Sequence, residues 1–183
     1  MTIPTASLVV ALRETAARLR SPDATYRWSH FGHCNCGHLA QTMTGLSAAA
    51  VYRAAFQGAG DWGQQAAVAL DDLDWGDRPG IDEGAFEPEV LRCGATGRPL
   101  DAIFAQMTAF GLDRRDFDAL EDLSDGEVLR RMGKSTTGLE RNVRANVVAY
   151  LEAWADLVAD RLDDRERALL DEPMQALPIA AEE

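Results

Sequence analysis

Lysine is nearly missing from this chain. Lys134 is the only one among the 18 basic residues of a 183-residue sequence, and the others are arginine. Positive charge is also outnumbered, because 30 acidic residues bring the formal net charge to -12. That is the wrong sign for neutralising phosphates, so nucleic acid is not an expected partner. Long apolar runs are absent as well. The segment from Met1 to Arg20 holds only a short apolar stretch, broken by Arg13 and Glu14, which fits neither a signal peptide nor a spanning helix. No membrane is expected as a partner. Cysteine is scarce, with three residues, an odd number that argues against a disulfide framework and for reduced thiols in a cytoplasm.

What is present suits a globular chain. Hydrophobic residues make up 46% and charged residues 26%, enough apolar surface to bury one core. A single helical domain over 1–170 is expected, with a disordered tail over 171–183 that carries two prolines and a Glu-Glu end. Leu8, Leu12, Ala16 and Leu19 recur at steps of three and four, marking one face of a helix that Ser21-Pro22 ends. Asn35 is the expected N-cap of a short helix over 36–43 with Cys36 and His38 in its first turn. Val51, Tyr52, Ala55 and Phe56 space another helix, closed by Gly58 and Gly60.

A possible helix through Leu70 gives way to Asp71 to Glu89, where carboxylates, glycines and prolines crowd out regular structure. A long acidic loop or lid is expected there. Helical spacing returns with Pro99 as a first-turn residue and Leu100, Ile103, Phe104, Met107 and Phe110 on one stripe, stopped by Gly111. Asp113 then caps a short helix to Leu120. Ser124 with Glu127 and Thr137 with Glu140 read as capping boxes, the second opening the longest helix, to about Asp164. That helix carries an apolar stripe of Leu139, Val143, Val147, Tyr150, Trp154, Leu157 and Arg161, widened by Val148, Leu151, Val158 and Leu162. With no strand pattern, the expected fold is all-α, an irregular bundle of about six or seven helices with a long acidic loop.

Chemistry concentrates in His30-Phe31-Gly32-His33-Cys34-Asn35-Cys36-Gly37-His38, which holds every histidine and two of the three cysteines. Neutral imidazole and thiolate bind zinc and other borderline or soft ions, and Gly32 and Gly37 would let a loop turn tightly round one. In an extended stretch Cys34, Cys36 and His38 point the same way; on a helix Cys34 and His38 share a face. These three are the first-choice ligands. His30, His33 and Cys93 compete for the remaining place, Cys93-Gly94 repeating the Cys36-Gly37 dipeptide. Zinc is the expected metal, with iron as the alternative. The blander reading is solvated histidines over two small buried thiols.

A thiol role without metal rests on Cys36 in a helix's first turn, where free amides stabilise a thiolate and a nearby histidine could take the proton. Cys36-Gly37 opening a helix resembles the nucleophile of papain-like peptidases. The likeness stops there, because that family's base histidine lies far downstream and none follows His38 here. The run WSHFGHCNCGHLAQ, residues 28–41, together with AYLEAWADL, residues 149–157, resembles a group of uncharacterised small bacterial proteins with a CNCGHLAQ core in a mostly helical chain. That resemblance implies no activity.

Other apparent motifs fail. Gly133-Lys134-Ser135 ends like a P-loop, yet Val128 stands where the earlier glycine is required. Asp71 to Gly76 resembles a calcium loop but places Leu73 and Trp75 at ligand positions. Arg130, Arg131, Lys134, Arg141 and Arg144 read as a solvated face. Trp154 belongs to the core stripe, while Trp62 and Trp75 flank the acidic segment and could line a pocket.

The sequence thus suggests a metal-binding helical protein. If its site is catalytic, metal-assisted hydrolysis is the expected chemistry, with a carboxylate from the acidic loop as base. The alternative is a helical interaction module in which metal or thiols brace the fold or sense redox state. Its partner would be a small molecule or a protein.

Overall fold

The computed structural model describes residues 2–28, 32–51, 91–92, 99–100, 102–135 and 139–171. The fold is all-α, with α1 (Ala6–Arg20), α2 (Asn35–Thr44), α3 (Ala102–Ala109), α4 (Arg114–Asp122), α5 (Gly126–Arg131), α6 (Arg144–Asp160) and α7 (Asp164–Ala168). A 3-10 turn at Leu169–Asp171 follows α7, and residues 48–51 are helical. No helix among the described residues is long and apolar enough to cross a membrane.

The stripe read on α1 is the buried one: Leu8, Leu12, Ala16 and Leu19 are wholly inaccessible. Thr5 starts this helix by accepting the Leu8 amide on its side chain. The face lies along α6, whose Val147, Tyr150, Leu151, Trp154, Ala155 and Val158 are buried in turn. This pair forms the centre of the bundle. Burying each large apolar side chain contributes roughly 1.5–3 kcal/mol before conformational entropy is counted. Helix α2 packs on α1, α3 and α4, and α5 packs on α6. Gly45 ends α2 at φ 71, a left-handed conformation that favours glycine.

Several boundaries differ from the sequence reading. Helix α6 starts at Arg144, after Val143, which makes no side-chain cap. Residues Glu140 to Val143 instead form a turn, tied elsewhere by Arg141, whose guanidinium pairs with Asp122 and whose carbonyl accepts the Tyr26 hydroxyl. Asp125 rather than Ser124 caps α5, receiving the amides of Glu127 and Val128. Contrary to the strand-free expectation, Leu91–Arg92 and Pro99–Leu100 pair antiparallel, Leu91 opposite Leu100. Pro99 therefore opens a strand, a first position that tolerates its missing amide, and α3 begins at Ala102. The acidic stretch 71–89, the helices expected over 52–70, Trp62, Trp75 and the tail beyond 171 lie outside the described residues.

Candidate functional site

The 33–38 segment enters α2 at a helix start buried against α4. Cys34, not Asn35, is the N-cap: its extended backbone turns the sulfur back to accept the Gly37 amide at 3.3 Å. Asn35 is not the cap because its side chain is bound elsewhere. Its Nδ2 donates to the Leu120 and Glu121 carbonyls, each at 3.1 Å, and its Oδ1, 2.8 Å from the Tyr26 hydroxyl, shares that group's single proton with the Arg141 carbonyl. Those two carbonyls belong to the last turn of α4, where the Leu120 carbonyl otherwise has only the Leu123 amide at 3.4 Å. Asn35 thus joins the start of one helix to the end of another and is wholly buried.

Cys36 follows in the first turn. Its amide lies 3.4 Å from Glu121 Oε2 and its sulfur 3.5 Å from the Phe117 carbonyl. The charge of the Glu121 carboxyl acts on both the Cys36 and the Cys34 thiols. Burial pushes this carboxyl up to about 7, against the pull of the Cys36 thiol and amide and the Cys34 thiol. Burial, and next the Glu121 charge, push both thiols well above their ordinary value, while the amides at the start of α2 pull Cys34 back. The resting state is therefore protonated sulfur facing a carboxyl that gains or loses its proton near neutrality. Neither cysteine is in a disulfide.

His33 and His38 serve a different neighbourhood. His38 Nε2 stands 2.9 Å from the Thr25 carbonyl; a carbonyl only accepts, so this nitrogen carries the proton and Nδ1 keeps its lone pair. Nδ1 is buried and has no hydrogen-bond partner among the described residues. Burial pulls the His38 ring down to about 4, assisted by the charges of Arg18 and His33. His33, partly exposed, also bonds to Thr25, and its ring centre is 6.0 Å from that of His38. Arg18 of α1 donates to the His38 carbonyl.

The expected ligand set is therefore divided. Cys34 and Cys36 face α4, whereas His33 and His38 face Thr25; His30 and Cys93 lie outside the described residues. Among the described residues no three His, Cys, Asp or Glu side chains are grouped so as to hold a metal ion. Gly37 is part of α2 rather than of a loop wrapped round an ion. Gly32 does have a steric role, since a Cβ there would run into the Ala48 carbonyl.

Glu121 is the residue that sequence reasoning missed. Its spacing held the signal: four residues after buried Phe117 and next to buried Leu120, it occupies a helix position that should face inward. Above it, Trp28 Nε1 donates to the Glu121 carbonyl at 3.4 Å, and the Arg141 guanidinium lies 4.1 Å from the Trp28 ring centre. The basic patch is partly paired, Arg131 with Asp160 and Arg141 with Asp122, as a solvated face would be. A comparison with known proteins finds no family, no curated protein and no solved structure that matches this chain.

Proposed function

We propose that this is a thiol redox protein in which Cys34 and Cys36 pass between dithiol and disulfide by exchange with a disulfide-bonded compound. The observation that carries this reading is one inward-facing carboxyl, Glu121, whose Oε2 lies 3.4 Å from the Cys36 amide and whose charge acts on both thiols. A thiol must lose its proton before it attacks, and a base whose own pKa lies near neutral pH is suited to take it. Cys34 gives its proton to Glu121 and its thiolate, favoured by the amides at the start of α2, attacks the external disulfide. A mixed disulfide forms and the first external thiolate leaves, taking the proton from Glu121. Cys36 then gives its proton to Glu121 and attacks the Cys34 sulfur. The second external thiolate leaves and is protonated in turn, so one disulfide and two thiols become one disulfide and two thiols.

The competing zinc reading uses the same sulfurs, with His30, His33, His38 or Cys93 as further ligands. It is favoured by the concentration of histidine and cysteine in residues 30–38. One experiment separates the two. Protein is held in glutathione buffers of graded redox poise, alkylated with N-ethylmaleimide and weighed intact, and its zinc and iron contents are measured in parallel. The redox reading expects a form that has lost two hydrogens and takes up two fewer alkyl groups, persisting in a Cys93→Ser variant and abolished by Cys34→Ser or Cys36→Ser. Native protein that keeps both thiols alkylatable in fully oxidised glutathione overturns it. So does about one metal ion per chain that is lost on mutating Cys34 and Cys36.

A further inference from the structure

We infer that residues 21–28, the strap between α1 and α2, form a lid over the cysteine pair that lifts to admit the external disulfide while the helices stay packed. This rests on the dithiol reading given above and concerns how its site is reached. Both thiols are covered, Cys34 being 4% and Cys36 5% exposed, and a disulfide must touch a sulfur before exchange begins. The cover differs from side to side. Toward α4 it consists of the buried side chains of Phe117 and Leu120 and of the two bonds that Asn35 makes to α4 carbonyls. Opening there means parting two helices. No residue from 21 to 28 is buried, whereas residues 34–40 all are.

The strap is held by polar contacts along its length. Its Ala24 carbonyl accepts Arg144 at 3.1 Å and its Thr25 carbonyl accepts His38 Nε2 at 2.9 Å. The Tyr26 hydroxyl lies 2.8 Å from both Asn35 Oδ1 and the Arg141 carbonyl, and Trp28 Nε1 donates to the Glu121 carbonyl at 3.4 Å. The Arg27 amide folds back on the carbonyl of His33, the residue before Cys34. Tyr26 and Trp28, both partly exposed, are thus the outer neighbours of Asn35, which lies between the cysteines, and of Glu121, whose charge acts on them. The charges of Cys34 and Glu121 both reach the Tyr26 hydroxyl. Hydrogen bonds that can be exchanged for bonds to water are worth little net, and a segment with little apolar burial opens at a lower free energy than the whole fold. The strap therefore lifts more readily than the helices that cover the sulfurs from the other side.

The test is the rate at which N-ethylmaleimide alkylates Cys34 and Cys36 in the native chain, read by peptide mass mapping, without urea and at urea concentrations below the unfolding transition. Arg144→Ala frees the strap at Ala24 and touches neither cysteine, Asn35 nor Glu121; Trp28→Phe frees its other end. Each is expected to speed alkylation of both thiols roughly five- to tenfold, as the open population grows on loss of about one hydrogen bond. Leu12→Ala weakens the α1–α6 packing without touching the strap and is expected to leave the rate unchanged. Urea should change it little, because lifting the strap exposes little surface. If both strap variants alkylate at the wild-type rate, or if urea and Leu12→Ala speed alkylation more than the strap variants do, the thiols are reached by unfolding and the lid is wrong. Wild-type thiols that alkylate as fast as free glutathione overturn it equally, since nothing then covers them. Intact mass in oxidised glutathione keeps the two readings apart. Strap variants that alkylate faster yet lose no hydrogens leave the lid and overturn the redox pair, whereas loss of two hydrogens at a rate no strap variant alters does the reverse.

Discussion

The α1–α6 seam and the α2–α4 junction are both buried, yet they are held by different means. The seam is apolar side chains on two long amphipathic faces, with Leu8, Leu12 and Leu151 inaccessible. The junction is polar: an asparagine, two thiols and a carboxyl, each meeting backbone. A nonpolar contact is non-directional and tolerates a shift, whereas a buried polar group without its partner costs free energy. The first region therefore supplies stability, and the second fixes where two helix ends must meet.

Truncating the seam should give the largest effect. Leu12→Ala or Leu151→Ala leaves a cavity and is expected to destabilise the fold by about 2–5 kcal/mol, measurable by urea denaturation followed by circular dichroism. A loss below about 1 kcal/mol would mean that the seam is not the main source of stability.

The junction should instead reveal itself through pH. Glu121 is raised from 4.5 to about 7 in the folded chain, so the folded state holds its proton more tightly. Its contribution is complete below the unfolded value and is lost as pH rises through about 7. Glu121→Gln removes this dependence while keeping an acceptor for the Cys36 amide. The stability of wild type relative to the variant should fall by roughly 3 kcal/mol at most across that window and then level. A constant difference between the two proteins would place the Glu121 carboxyl in water. His38 acts in the opposite sense. Its pKa is lowered from 6.5 to about 4, so its contribution is full above about 6.5 and is lost as pH falls toward 4. His38→Gln should flatten that limb alone.

Smaller effects sharpen the contrast. Asp125→Ala takes the cap from two amides of α5 and is expected to cost about 1 kcal/mol, read as a lowered melting temperature. Charge reversal at the exposed Arg161–Glu127 pair, 2.6 Å apart, should change stability by less than about 1 kcal/mol and vanish in molar salt. An equal effect from these two changes would mean that surface charge holds α5 on α6 as firmly as its cap does.

The seam was legible in the sequence because a helix face repeats: Leu8, Leu12, Ala16 and Leu19 on α1, and Val147, Tyr150, Leu151, Trp154 and Val158 on α6, needed only spacing to be read. The junction was legible in composition alone. Residues 30–38 stood out, yet the reading joined Cys34, Cys36 and His38, which the fold sends to different neighbours. Local rules also erred where tertiary bonds compete with them. Asn35 is as good an N-cap as any residue, but two α4 carbonyls and Tyr26 claim its side chain, and the cap passes to Cys34. The Thr137 box was expected to open the long helix, and the turn at Glu140 to Val143, held by Arg141 on Asp122 and Trp28, delays it to Arg144.

By itself, the sequence determined that this chain is helical, where its main helices bury themselves and which short segment concentrates its reactive side chains. These follow from periodicity and residue type, which are local properties. Only the tertiary structure decided that Glu121, 85 positions from Cys36, is the group facing the thiols, and that His33 and His38 turn to Thr25. Partners brought together across the chain are chosen by packing and by the need to satisfy buried polar atoms, and sequence spacing carries no record of that choice.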